Sequence, residues 1–257
     1  MSKVRNALVV GGSSGMGLAS AHSLAGDGWN VAIAARRADV LEAAAAELRA
    51  AHPSVQIDAH SVDIANVEQA RDLVDSLADR RGSIDGYVNA AGALYSAPFA
   101  DMTIEQWDEC QAPMWRGVVA TSIAVVRQMR TQGGGRIVLI GGVTGVAVEP
   151  GLSHYGAAKA AIHSLARSIA VEHATDGVVA NSVAPGWTRT PMAADYIDSM
   201  SREQLLNINP LGRCAEPEEI ANLIRYLIVD APAFLTGSQI MIDGAQTVMA
   251  HRHTPPA

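Results

Sequence analysis

The feature that most constrains this chain is an alternation. Short, apolar, often β-branched runs recur along it, and a helix-length segment follows most of them. "NALVV", "VAIAA", "VQIDAHSVD", "IDGYVNA", "RIVLI", "VVANSVA" and "QIMID" read as strands. Between them, "GLASAHSLAGDG", "ADVLEAAAAELRAAH", "VEQARDLVDSLADRR", "HYGAAKAAIHSLARSIAVEHA" and "PEEIANLIRYLIV" carry helical periodicity. Strands that are apolar on both faces and separated by helices require a parallel sheet covered on both sides. The expected architecture is therefore α/β and doubly wound. One more helical segment, "IEQWDECQAPMWRGVVATSIAVVRQMR", contains Pro113. A proline there removes one backbone hydrogen bond, which predicts a kink between Glu109 and Met114.

Composition narrows the partners. The chain has 257 residues, 49% of them hydrophobic, enough for one large α/β domain with a buried core. No composition break marks a boundary, so residues 1–257 are expected to form a single domain. The stretch from 191 to 210 has weaker periodicity and reads as an insertion over the sheet edge, a candidate lid. A formal charge of -7 without a long basic run argues against nucleic acid or an anionic membrane as the main partner. No apolar run is long enough to span a bilayer. Leu8-Val9-Val10 is too short for a signal peptide, and Cys110 and Cys214 lack metal-ligand spacing. A cytoplasmic protein with reduced thiols is the expectation. The tail "HRHTPPA" reads as a solvated end rather than a metal site.

Two features point to a dinucleotide. After the first strand comes "GGSSGMG", in which Gly11, Ser13, Ser14, Gly15, Met16 and Gly17 open a helix. A glycine turn of this kind lets backbone approach a pyrophosphate at a helix N-terminus. The end of the second strand is more selective. An NAD site often places an acid there to hold the ribose hydroxyls. This chain has Ala35-Arg36-Arg37 instead. Guanidinium suits a 2′-phosphate, which favours NADP(H) over NAD(H). A third feature is chemical: Tyr155 and Lys159 are four residues apart, the spacing that puts a phenol and an ammonium on one face of a helix.

Together these residues resemble the short-chain dehydrogenase/reductase (SDR) family over nearly the whole chain. The matching pieces are "GGSSGMG", Asp63, "NAAG" (Asn89 to Gly92), Tyr155-x-x-x-Lys159, "NSVAPGWTRT" and "TGSQIMIDG". The resemblance implies a Rossmann fold with a seven-stranded parallel sheet flanked by helices, usually a homotetramer or dimer. It implies an enzyme that moves a hydride between nicotinamide and a ketone or alcohol. Asp63 and Ile64 would then hold the adenine, and Asn89, Ala90 and Gly92 would line the ribose side. Lys159 would bond the nicotinamide ribose, and Pro185, Gly186, Thr188 and Thr190 would face the carboxamide end. Tyr155 would be the general acid for reduction and the base for oxidation, with Lys159 favouring the phenolate.

Two positions depart from the family pattern. Its catalytic serine lies thirteen residues before the tyrosine, where this chain has Gly142. Its helix asparagine falls at Met114. Thr144 or Ser153 are possible substitutes for the serine hydroxyl, and a carbonyl freed by Pro113 for the asparagine. Leu94, Tyr95, Trp187, Met192, Tyr196 and Met200 are candidate pocket residues, and Gly141 and Gly142 remove bulk. They suggest a small-molecule substrate that is fairly large and apolar or cyclic. The alternative is a regulatory or catalytically weakened protein that keeps the cofactor site.

Overall fold

A computed structural model describes residues 4–250 of the chain; the tail from 251 to 257 lies outside the described residues. Its strands are β1 (Asn6–Val10), β2 (Asn30–Ala35), β3 (Ile57–Ser61), β4 (Gly86–Asn89), β5 (Gly135–Ile140), β6 (Val178–Pro185) and β7 (Gln239–Ile242). They form one sheet in the order β3-β2-β1-β4-β5-β6-β7, and every neighbouring pair is parallel. In register, Leu8 lies between Ala32 on one side and Tyr87 on the other. Alternate side chains enter opposite layers, as the period of a strand requires. Leu8, Val10, Ile137 and Leu139 join one core. Val9, Ile33, Val138 and Ile140 join the other.

Helices α1 (Gly15–Gly26), α2 (Ala38–Ala51) and α9 (Pro217–Val229) bring apolar residues to the second core. Helices α3 (Val67–Arg81), α5 (Gly117–Gln132) and α6 (Ser153–His173) bring theirs to the first. The expected helix from 104 onward is present but not uniform. Helix α4 (Ile104–Gln111) starts at a capping box made by Thr103 and Gln106. A π-helical turn, Ala112–Arg116, joins it to α5. Pro113 has no N–H to offer Glu109, so the ladder widens by one residue at the point where a kink is predicted.

Segment 191–210 holds two short helices, α7 (Ala194–Asp198) and α8 (Arg202–Ile208). Between β6 and these helices, Thr188 bridges to Ala215 in parallel. The order of strands reverses between β1 and β4. At such a switch point the two flanking loops diverge beyond the carboxyl ends of the strands and leave a crevice.

Candidate active site

The crevice is a cleft of about 540 Å³ over the carboxyl ends of β1, β2 and β4. Its floor is the glycine turn. Gly11 has φ +76°, and a Cβ there would lie 2.7 Å from the Ala90 carbonyl carbon. A Cβ on Gly17 would lie 2.1 Å from the Gly11 oxygen. No side chain fits at either position, so the turn packs backbone on backbone. Ser13, Ser14, Gly15 and Met16 line the cleft with them. Ser14 caps α1 without a side-chain bond to the helix, which leaves first-turn N–H groups facing the cleft.

Arg36 and Arg37 line the other end, and both are exposed. Neither guanidinium has an ion pair or hydrogen bond among the described residues. Ala35, at the end of β2, supplies no carboxylate.

Two expected contacts are indirect. Val62 and Ile64 line the cleft, but Asp63 does not. Its Oδ1 accepts from the Ala65 N–H at 3.1 Å, which ties the carboxylate to its own turn. Asn89 is buried rather than open to the cleft. It donates to Tyr87 Oη at 2.6 Å and accepts from the Ala91 N–H at 3.1 Å. That holds the bend which presents Ala90, Ala91, Gly92 and Ala93 to the cleft.

The other end of the cleft adjoins a second cavity of about 120 Å³. Leu94, Val143, Leu152, Trp187, Met192 and Ala193 give it an apolar wall, and Thr144 and Glu149 its polar spots. Pro185, Gly186, Thr188 and Thr190 belong to this cavity, with Thr190 shared between the two. Tyr155 also lines both. The four-residue spacing on α6 puts Lys159 beside it, with Nζ 5.2 Å from the phenol ring centroid. Lys159 is buried and donates to the Ile140 carbonyl at 3.0 Å.

Comparison with known proteins agrees with this arrangement. A family model described as enoyl-(acyl carrier protein) reductase matches residues 10–247. A 3-oxoacyl-(acyl-carrier-protein) reductase from Synechocystis sp. is 34% identical, over 94% of this chain and 96% of its own. A cis-4-hydroxycyclohexanecarboxylate dehydrogenase from Sinomonas cyclohexanicum is 34% identical, over 95% and 97%. A short-chain type dehydrogenase/reductase structure from Mycobacterium ulcerans superposes with a TM-score of 0.91 at 30% identity, over 95% of this chain and 90% of that one. The chain belongs to the short-chain dehydrogenase/reductase family. The seven-stranded parallel sheet and its flanking helices are those of that family.

Burial sets the charges of this SDR site. The Tyr155 phenol is pushed up to about 12, first by desolvation and then by the Glu149 carboxylate. Lys159 is lowered to about 8 by desolvation. In the chain alone, then, burial outweighs the pull that the lysine was expected to exert on the phenol. Glu149 is itself raised by burial, opposed by hydrogen bonds from the Trp187 and Gln246 side chains. No sequence signal marked Glu149: in "AVEPG" it reads as an ordinary loop acid.

Gly141 and Gly142 do different things. The space beside Gly141 is filled by the His163 ring, not left for a substrate: a Cβ there would fall 2.1 Å from Cε1. Gly142 faces the apolar cavity, and a Cβ on it would have only Thr144 Oγ1 at 3.5 Å and Lys159 Cγ at 3.7 Å as near neighbours. Met114 is fully buried and packs with Cys110, Ala158 and Tyr155, so it supports the phenol ring. Pro113 lines the glycine-turn cleft, a contact that sequence reasoning missed.

Tyr196, Tyr95 and Met200, expected in the pocket, do not line it. Ile197 takes the inward position of α7, which leaves Tyr196 exposed and packed against Trp187, with centroids 5.1 Å apart. Tyr95 is exposed and accepts from Gln106 at 3.2 Å. Met200 follows α7 beyond the cavity wall.

Proposed function

We propose that this protein is an NADP(H)-dependent oxidoreductase acting on an apolar, cyclic ketone or the corresponding alcohol. One observation carries the reading: of the side chains that line both the glycine-turn cleft and the apolar cavity, Tyr155 is the titratable one. A proton donor belongs where cofactor and substrate meet.

The cleft fits a dinucleotide. Side chains are excluded at Gly11 and Gly17, so backbone can approach a pyrophosphate, and two unpaired guanidiniums line the cleft, which supports a 2′-phosphate as the partner. Bound there, the cofactor supplies hydride exchange at the substrate carbon. The remaining work falls to the chain. Leu94, Leu152, Trp187 and Met192 hold the apolar body of the substrate and keep water out. Tyr155, held protonated by burial, gives its proton to the carbonyl oxygen in reduction. Lys159 fixes the floor beneath the phenol through Ile140. Gly142 and Met114 stand where the family's serine and helix asparagine would be, which makes the site atypical. The cyclic substrate draws on the apolar wall and on the Sinomonas relative, a dehydrogenase of a hydroxycyclohexane acid. A homotetramer or dimer belongs to the same reading, supported by exposed Ile123 on α5 and Val171 on α6.

The test is Tyr155→Phe, assayed with NADPH against a panel of alicyclic ketones. Turnover should fall by at least ~10²-fold, the low end of what a positioned general acid contributes, while NADPH affinity by fluorescence stays the same. A variant that keeps the wild-type rate would refute the role. NADPH binding by the wild type without turnover of any ketone or alcohol would instead favour a regulatory cofactor-binding protein.

A further inference from the structure

We infer that Thr144 is a catalytic residue, whose hydroxyl donates the second hydrogen bond to the substrate oxygen beside Tyr155. The inference rests on the oxidoreductase reading above and adds to it a group that replaces the hydroxyl missing at Gly142.

Thr144 sits in the 3-10 turn Val143–Gly145 that follows β5. It is only 7% exposed, and Oγ1 is buried without a hydrogen-bond partner. Unpaired buried hydroxyls are rare because desolvation is not repaid. Among the described residues, Ser122, Ser153 and Thr144 have such a hydroxyl. Of the three, only Thr144 lines the cavity that Tyr155 shares. This separates Thr144 from Ser153, the other substitute that the sequence offers. Thr144 Oγ1 also lies 3.5 Å from where a Cβ on Gly142 would be. A hydroxyl carried by residue 142 would thus compete for the neighbourhood that Thr144 already serves.

The turn is held on three sides. Gly145 N–H bonds the Gly142 carbonyl at 3.0 Å, and Val146 N–H bonds that of Val143 at 2.8 Å. On the helix side, a Cβ on Gly156 would come within 2.9 Å of the Thr144 carbonyl oxygen, so α6 rests on the turn's backbone. Behind it, the His163 ring spans from Ser182 Oγ at 2.9 Å to the Gly142 carbonyl at 3.2 Å. Threonine adds its own stiffness, since branching at Cβ restricts χ1. With the backbone of the turn fixed this way, rotation about χ1 is the movement that brings the hydroxyl to the substrate oxygen.

The chemistry balances without consuming the threonine. In reduction, the carbonyl carbon gains a hydride from reduced nicotinamide, and the C=O π pair moves to oxygen. The oxygen then takes the Tyr155 proton. Thr144 keeps its own proton throughout and makes no covalent bond. Its effect is on the height of the barrier.

Three variants test this: Thr144→Val, which keeps shape and removes the hydroxyl, Thr144→Ser, which keeps the hydroxyl, and Thr144→Val combined with Gly142→Ser. Each is measured for kcat and KM on cyclohexanone with NADPH, for NADPH affinity, and for melting temperature. Cyclohexanol binding is followed separately by tryptophan fluorescence, which needs no turnover. Thr144→Val should lose about 10²-fold in kcat, as a removed oxyanion donor does, with KM changed little and NADPH affinity intact. Thr144→Ser should stay within about 5-fold of wild type, and the hydroxyl that Gly142→Ser adds to the double variant should recover at least ~10-fold. Cyclohexanol binding should weaken in Thr144→Val alone. If Thr144→Val does not fold, Thr144→Ala is taken through the same assays. A valine or alanine variant with wild-type kcat and unchanged cyclohexanol binding overturns the inference. If Tyr155→Phe is still inactive in that case, the oxidoreductase reading survives it. If Tyr155→Phe also retains wild-type kcat, the reading falls as well.

Discussion

Replacing Gly141 by alanine should destabilise the protein by about 2–3 kcal/mol, whereas the same change at Gly142 should be nearly silent. At Gly141 the added Cβ would meet His163 Cε1 at 2.1 Å and Nε2 at 2.5 Å. The ring is buried and held at both ends by Ser182 and the Gly142 carbonyl. Moving it away breaks at least one of these bonds and strands a buried polar atom, at about 1–3 kcal/mol. Shifting the β5 end instead would strain the hydrogen bond from Gly141 N–H to the Val183 carbonyl at 2.9 Å. At Gly142 the nearest atoms lie at ordinary contact distance. Its φ of 166° is extended backbone that any residue adopts. Alanine there loses less entropy on folding than glycine, worth roughly 0.4–1 kcal/mol in its favour. In a domain of this size 1 kcal/mol moves the melting temperature by about 2–4 °C. Gly141→Ala should therefore melt roughly 5–10 °C lower by circular dichroism, and Gly142→Ala within about 3 °C of wild type. Adding His163→Ala to Gly141→Ala should cost less than the sum of the two single changes, because the clash is gone. Equal melting temperatures for the two alanine variants would refute the assignment of the Gly141 space to His163.

Two further predictions concern charge. Replacing both Arg36 and Arg37 by alanine should weaken NADPH binding by about 10–100-fold, as lost charge-assisted hydrogen bonds do, and leave NADH within about 2-fold. An equal loss for both cofactors would remove the 2′-phosphate reading. Glu149→Gln removes the charge that helps hold the Tyr155 phenol up at about 12. The phenol should then ionise at lower pH, so the alkaline rise of alcohol oxidation should shift toward neutrality. A profile that does not move would place Glu149 too far from the phenol to matter.

Much of the fold was legible because long periodic signals dominate it. "RIVLI" and "PEEIANLIRYLIV" were readable as strand and helix since burial demands those patterns over several residues. Pro113 gave the place of the helix distortion but not its form. A missing N–H can be absorbed by a kink or by a π turn, and neighbouring packing decides which. The site was less legible for three reasons. In a single-turn helix such as α7, one residue decides which side chain faces in, and Ile197 displaced Tyr196. Polar side chains in turns also bond the backbone, as Asp63 and Asn89 do, and sequence does not tell that use from a ligand contact. Adjacent glycines carry no sign of what fills the space they leave. His163, 22 residues beyond Gly141, is the reason for the first glycine, and nothing local announces it.

The electrostatics of the site favour giving a proton over taking one. Desolvation acts on both members of the pair and opposes the same state, a phenolate beside an ammonium. It pushes Tyr155 up to about 12 and lowers Lys159 to about 8. Glu149 adds to the first effect from the substrate side. At neutral pH the phenol is therefore loaded, and Lys159 keeps its charge with little margin. Reduction needs only donation from that state. Oxidation must first ionise the phenol, which needs positive charge brought into the cleft or a higher pH. A neutral donor such as the Thr144 hydroxyl suits this balance. It stabilises a developing alkoxide by a directed hydrogen bond, without the full charge that would pull the phenol down before the substrate arrives. A cation in its place would help the oxyanion but ionise the acid. The pairing of a half-buried phenol with a buried, unpartnered hydroxyl, 11 residues apart in sequence and lining one cavity, keeps the two tasks separate.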